Sequence, residues 1–120
     1  MNTVNNNVQT FVYDVKDQKG IWLGRIVLTS DGFYFSFTEW YNFCGHWGAF
    51  GDDFRKFLTT IDIDYFSRHI CVTELNASSR KVVNAAKKHA KIILPVLQSV
   101  LKHELNITKY SYGFGKKNNI

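Results

Sequence analysis

A long run of apolar residues at helical spacing in the last third of the chain constrains the fold most. Its members are Val82, Val83, Ala86, Ala90, Ile93, Leu94, Leu97, Leu101 and Leu105. They trace one stripe over about seven helical turns and keep their phase across Pro95. Because proline removes a backbone donor, Pro95 predicts a kink, and the unbroken phase favours one kinked helix over two separate ones. Such a helix needs an apolar surface to cover most of one side.

The first 40 residues predict that surface as an antiparallel meander. Three strands are expected, at residues 8–15, 21–29 and 33–40. The Asp31-Gly32 pair is typical of the tight turn in a hairpin. In the third strand Phe33, Phe35 and Phe37 share one face, because alternate side chains of a strand point the same way. We expect this phenylalanine face to be buried and the opposite face to be half exposed.

Residues 41–51 contain three glycines and four aromatic residues and are expected to form a loop. Two short helices follow it. Asp53 and Asp62 stand where carboxylates favour helix N-termini, and apolar residues come after each at helical spacing. The sequence therefore predicts two short, capped helices between residues 52 and 70.

Together these patterns predict a single α+β domain over residues 1–120, with 1–7 and 116–120 frayed. A three- to four-stranded antiparallel sheet packs on the long kinked C-terminal helix, and the two short helices cover one end. The optional fourth strand is expected at residues 109–114, where aromatic residues alternate. The unprotected edges of so small a sheet favour either a homodimer or the addition of a partner's strand.

Charge is distributed very unevenly along the chain. Residues 1–76 carry six basic and nine acidic residues, a net charge of −3, whereas residues 77–120 carry nine basic residues and one acidic residue, a net charge of +8. The predicted contacts for a nucleic acid or an acidic partner are Arg80, Lys81, Lys87, Lys88, Lys91, Lys116 and Lys117. The alternative is a solvated helix face with no partner, and the predominance of lysine over arginine fits loose electrostatic steering better than bidentate recognition.

The aromatic segment supplies a second candidate surface. Trp40, Tyr41, His46 and Trp47 are predicted to bind a protein partner, because Trp and Tyr are enriched at the energetic centres of interfaces. The alternative is that the tryptophans, with Phe43 and Phe50, close the end of the core. On that alternative Tyr41 and His46 are the residues expected to be exposed.

Two groups of residues raise the question of metal chemistry. Cys44-x-His46 and His69-x-Cys71 provide four nitrogen and sulfur ligands, but one-residue spacing is not the usual zinc knuckle. Asp52, Asp53, Asp62 and Asp64 could be read as a divalent-metal cluster, whereas helix capping explains them without metal. The two capping sites lie about 15 Å apart along one helix, too far for one ion. No catalytic residue, cofactor or bound metal is predicted.

Parts of the chain resemble a known group of proteins. The similar segments are Trp47-Gly48-x-x-Gly51-x-Asp53-Phe54-x-x-Phe57-Leu58-x-x-Ile61-Asp62-x-Asp64-Tyr65-Phe66 and Ile93-Leu94-Pro95-x-Leu97 to Leu101-x-x-Glu104-Leu105. They resemble segments of small uncharacterised phage and prophage accessory proteins, best over residues 21–70. The resemblance implies a phage or mobile-element origin and an accessory role. Such proteins commonly bind and inhibit a host machine, including RNA-guided defence complexes of the anti-CRISPR type, and no catalytic residue transfers.

The location follows from simpler features. Two cysteines, Cys44 and Cys71, are too few for a disulfide framework, which favours a reducing cytoplasm. The resemblance to phage proteins implies that this is the cytoplasm of a bacterial host. No apolar run approaches the roughly 18 residues of a membrane span, so no membrane partner is expected. Residues 1–7 lack the basic start and apolar stretch of a signal peptide.

The leading hypothesis is a non-enzymatic binding protein, encoded by a phage, that inhibits a bacterial defence complex by steric occlusion. Its partner would be a host protein or ribonucleoprotein complex. One alternative is a nucleic-acid-binding accessory protein that uses the lysine-rich helix face. A second alternative is a metal-dependent enzyme or zinc-bound module.

Overall fold

The structure is a computed structural model, and it describes residues 7–39, 41–72 and 80–107. Its elements, in chain order, are β1 (Thr10–Lys16), β2 (Trp22–Thr29), β3 (Phe33–Phe37), β4 (Asn42–His46), α1 (Phe54–Leu58), α2 (Ile63–His69), β5 (Cys71–Val72) and α3 (Arg80–Glu104). The strands form one antiparallel sheet in the order β1-β2-β3-β4-β5. The predicted α+β class, with one long helix and two short ones, is confirmed.

The fourth strand comes from the aromatic segment, where the sequence predicted a loop. Residues 42–46 pair with all five residues of β3, and Phe43 turns its side chain into the core. Glycine at position 45 leaves room for the Trp47 ring, which packs beside this strand. A Cβ at that position would lie 3.1 Å from a carbon of the ring. The strand predicted at residues 109–114 lies outside the described residues.

The buried face of β3 is the opposite of the one expected. Tyr34 and Ser36 are fully buried, whereas Phe37 is 45% exposed and Phe33 is also exposed. The prediction that the phenylalanine face is buried was therefore wrong. The physical reason is the pairing with β2, in which buried Leu28 lies opposite Tyr34.

Helix α3 covers the inner face of the sheet. It runs as one helix through Pro95, which confirms the preference for one helix over two. Its buried residues are Val82, Ala86, His89, Ala90, Ile93, Leu94, Leu97 and Leu101. Val83, assigned to the stripe from its sequence position, is exposed, and His89, a polar residue, is buried in line with the stripe.

Both short helices begin at the predicted caps. The Asp53 carboxylate accepts from the backbone N–H of Arg55 at 3.0 Å, and the Asp62 carboxylate accepts from the backbone N–H of Tyr65 at 2.8 Å. These bonds satisfy amide donors that a helix start leaves free. Gln98 on α3 then donates to the carbonyls of Leu58 and Ile61, both at 2.8 Å, and so holds the link between α1 and α2 against the long helix.

Candidate binding groove

A groove of about 420 Å³ lies where the N-terminal half of α3 passes the end of the sheet. At this end β2 begins, β3 has just ended and β4 begins. Among its lining residues are Trp22, Thr38, Glu39, Tyr41, Lys88 and Ile92. We call this feature the sheet-end groove. Its size falls in the range of small-ligand and side-chain pockets.

The walls of the sheet-end groove are mainly apolar and open to solvent. Trp22 on the sheet side and Ile92 on the helix side are each 44% exposed, and Ile21 beside them is exposed too. The indole N–H of Trp22 donates to the Asp14 carboxylate at 3.2 Å, which fixes the orientation of the ring. Apolar surface of this kind gains free energy when a partner covers it.

Tyr41 is held at the rim by the end of β3. Its backbone N–H donates to the Thr38 hydroxyl oxygen at 3.1 Å, and the Thr38 hydroxyl donates in turn to the Tyr41 carbonyl. The Tyr41 ring lies 6.3 Å from the ring of Phe43. These contacts fix the start of β4 and present Tyr41, half-buried, at the groove.

The floor of the sheet-end groove contains His89. The residue is 6% exposed, its ring stacks on Phe43 at 4.1 Å, and its Nε2 lies 2.9 Å from the hydroxyl of Tyr34. Burial lowers the pKa of His89 to about 4, and burial raises the pKa of Tyr34. The pair is therefore uncharged at neutral pH, and a histidine with so low a pKa is a weak base there. This arrangement suits a binding floor better than acid–base chemistry.

Charge is concentrated at the rim. Lys88 and Glu39 both line the groove and are exposed, but they do not form an ion pair with each other. Lys81 precedes Lys88 by two helical turns and so lies on the same side of α3. The groove therefore has an apolar interior, with cations along its helical edge and the carboxylate of Glu39 on the sheet side.

The predicted basic residues fall into two groups. Five of them lie on α3 with exposed side chains: Arg80, Lys81, Lys87, Lys88 and Lys91. No ion pair within residues 7–39, 41–72 and 80–107 involves any of these five. Lys116 and Lys117 lie outside the described residues.

The predicted aromatic set does not form one surface. Tyr41 lines the sheet-end groove, whereas Trp40 lies outside the described residues. His46 is exposed on the outer face of the sheet, where its ring stacks on Phe33 at 4.2 Å. Trp47 is 3% exposed and stacks on Phe66 in the core, so its ring surface is used inside the domain, as the alternative interpretation proposed.

Sequence reasoning missed most of the groove-lining residues, among them Trp22, His89 and Ile92. The signal for Ile92 was an isoleucine directly beside Lys91 that does not belong to the buried stripe. The signal for His89 was its position, one residue before Ala90 and three after Ala86, within the stripe. Trp22 gave no signal beyond its place at the start of a strand.

The possible metal ligands are only partly brought together. The Sγ atoms of Cys44 and Cys71 lie 3.6 Å apart, but His69 packs on Trp47, with ring centroids 5.1 Å apart. Within the part of the chain that the structure describes, no group of three or more His, Cys, Asp or Glu residues could hold a metal ion. Asp53 and Asp62 serve as helix caps.

The wider properties of the chain add two observations. No helix in the described ranges has the length and apolar character needed to cross a bilayer. Comparisons of the chain with protein-family models, with curated proteins and with solved structures gave no match.

Proposed function

We propose that this chain is a non-enzymatic binding protein whose partner is an acidic protein that places a large apolar side chain in the sheet-end groove. The observation that carries the proposal is the apolar groove bordered by Lys88, a cation with no ion-pair partner in the described residues. Burial of a leucine- or phenylalanine-sized side chain contributes about 1.5–3 kcal/mol. An acidic surface around that side chain would be attracted by Lys88 and Lys81.

The composition of the groove favours a protein partner. Recognition of a phosphate backbone needs several cations at the contact, whereas Lys88 is the one basic residue among the groove-lining residues that the structure describes. The exposed walls are a tryptophan and two isoleucines, which complement an apolar side chain better than a phosphate. Binding there would combine hydrophobic anchoring with electrostatic steering.

The finer proposal concerns the identity of the partner. The resemblance to phage accessory proteins suggests a host protein or ribonucleoprotein complex of a bacterial defence system, inhibited by steric occlusion. In this proposal the groove anchors the contact and the remainder of the domain blocks access to the target. The direct test is whether the purified chain inhibits RNA-guided DNA cleavage in a reconstituted reaction.

The groove itself is tested by selecting a random peptide library on the full chain. We expect the selected peptides to combine acidic residues with one large apolar residue, and a basic consensus would contradict the proposal. Ile92→Glu, which places a carboxylate in the groove wall, should weaken the selected peptide about 30-fold or more, or about 2 kcal/mol. Val100→Glu is the matched control, because Val100 is 39% exposed on the same helix and does not line the groove.

Electrostatic steering is tested separately. Lys88→Glu should slow association of the selected peptide and reduce its salt dependence, with a smaller effect on dissociation. Lys19→Glu, in the exposed turn after β1, is the control for the change of net charge. If the two variants associate equally fast, steering by the groove rim is wrong.

A second candidate function is nucleic-acid binding by α3. It is favoured by the five exposed cations between Arg80 and Lys91, none of which is in an ion pair in the described part of the chain. Affinity for duplex DNA should then fall steeply with salt, and Lys91→Glu should make that slope shallower. Absence of binding at low salt would exclude this candidate.

A further inference from the structure

The two cysteines meet on the outer face of the sheet, away from the sheet-end groove. Cys44 on β4 lies directly opposite Cys71 on β5, and their Sγ atoms are 3.6 Å apart. Both cysteines are free; Cys71 is exposed, and Cys44 is partly exposed. The sequence separation of 27 residues gave no sign of this pairing.

We propose that Cys44 and Cys71 are a redox-responsive dithiol that closes to a cross-strand disulfide by exchange with a low-molecular-weight disulfide. The thiolate of Cys71 attacks one sulfur of the small disulfide, forms a mixed disulfide and releases one small thiol. The thiolate of Cys44 then attacks the Cys71 sulfur, and the second small thiol leaves. The protein loses two thiol hydrogens and gains one S–S bond, while the small disulfide is reduced to two thiols.

The backbone already has the geometry that a disulfide needs. Directly opposite residues of an antiparallel pair have Cα atoms about 4.5–5.5 Å apart, within the range of about 4.4–6.8 Å that disulfides span. The bond length is about 2.05 Å, so the two sulfurs must approach each other by about 1.5 Å. Rotation of the two side chains about χ1 is the motion that would bring them together.

The order of the two steps follows from the surroundings of the thiols. Burial, and then the neighbouring Cys71, raise the pKa of Cys44, so a smaller fraction of Cys44 than of an ordinary cysteine is ionised before the first step. Since the thiolate is the nucleophile, the exposed Cys71 attacks first and Cys44 resolves the mixed disulfide. The short distance between the sulfurs favours this second, intramolecular step over release of Cys71 by a second small thiol.

Closure would act on the edge of the sheet. Strand β5 has two residues, and its ladder consists of the pairs Phe43–Val72 and Cys44–Cys71. The new bond would fix β5 to β4 and enclose α1 and α2 in a covalent loop. In the reducing compartment that the sequence favours, the dithiol would stay open and would close under oxidation.

Glutathione disulfide is the probe, applied to the full chain and followed by intact mass and peptide mapping. We expect wild type to lose two hydrogens, to form no intermolecular disulfide and to give a peptide linking Cys44 to Cys71. Cys44→Ser should retain one glutathione on Cys71, because the resolving thiol is missing. A stable glutathione adduct on wild type, or a covalent dimer, would overturn the proposal.

Hydrogen exchange gives a second readout that does not depend on the variants folding. In oxidised wild type the backbone amides of β5 should exchange more slowly than in the reduced protein. Equal exchange in the two forms would contradict the clamping of the edge strand. The Cys44→Ser/Cys71→Ser double variant should be unaffected by glutathione disulfide in both measurements.

Discussion

Burial of His89 makes the stability of the fold depend on pH. The pKa of His89 is lowered from 6.5 to about 4 in the folded protein, because the ring is enclosed between Phe43 and Tyr34. As the pH falls below 6.5, the unfolded chain binds a proton at this histidine before the folded chain does. The free energy of unfolding must therefore fall between about pH 6.5 and pH 4, and this contribution levels off below pH 4.

The magnitude follows from the two pKa values. A difference of about 2.5 units at 1.36 kcal/mol per unit gives a total loss of about 3 kcal/mol. About 2 kcal/mol of this is already lost at pH 5, where most carboxylates are still ionised. Measurements at pH 7.5 and pH 5 thus isolate most of the histidine effect from acid denaturation.

Urea unfolding at the two pH values provides the assay. We expect wild type to lose about 2 kcal/mol between pH 7.5 and pH 5, and His89→Gln to lose much less, because glutamine keeps a hydrogen-bonding group but does not titrate. His103→Gln, at an exposed position near the end of the same helix, is the control and should retain the wild-type dependence.

Two results would refute this reasoning. One is an equal pH dependence in wild type and His89→Gln. The other needs no variant: an NMR titration of the His89 ring in wild type with a midpoint above about 6 would show that burial does not hold the ring neutral.

Three further substitutions test the packing of the fold. Gly32→Ala should lower the free energy of unfolding by about 2 kcal/mol or more, because Gly32 has φ +96° and a Cβ there would lie 2.2 Å from the Trp47 carbonyl oxygen. Thermal unfolding is the measurement, and an unchanged Tm would contradict this geometry. Asp53→Ala should lower the free energy of unfolding in urea by about 1 kcal/mol, since it removes the cap of α1. Asp53→Asn should recover most of this loss in the same assay. Leu97→Ala should cost about 2–5 kcal/mol, because Leu97 is fully buried in α3, whereas exposed Ser99→Ala on that helix should change stability by less than about 0.5 kcal/mol.

The helices could be predicted because their determinants are local. Asp53 and Asp62 lie next to the amides that they cap, and the stripe of α3 is visible over seven turns whatever the helix packs against. Pro95 left the helix continuous. In each case the residues that decide the structure are within one or two turns of each other in the sequence.

The sheet-end groove could not be predicted in this way. Its walls come from the start of β2, the segment around Tyr41 and the N-terminal half of α3, which are far apart in the sequence. In the sequence, Trp22 and Ile92 are two unrelated apolar residues 70 positions apart. Only the packing of α3 across the sheet end places them on the two sides of one cavity.

The orientation of β3 illustrates a different limit. The hairpin at Asp31-Gly32 sets the register so that Arg25 lies opposite Phe37 and Val27 opposite Phe35. Directly opposite residues point to the same face, so the charged Arg25, which pairs with Asp14 at 2.9 Å, turns the phenylalanines outward with it. The hydrophobicity of β3 taken alone gives the wrong face, whereas the charge on its neighbour gives the right one.

Two sets of contacts support this orientation, one on each face of the sheet. On the inner face the Tyr34 hydroxyl has a partner in His89, so a buried polar group is not left without a hydrogen bond. On the outer face Phe35 is only partly exposed, because it lies between Val27 and Cys44 on the neighbouring strands. Lateral packing therefore recovers part of the apolar burial that inward packing would have given. The reverse orientation would have buried the Asp14–Arg25 pair against α3, and removing both charged groups from water carries a desolvation cost of several kcal/mol per ion.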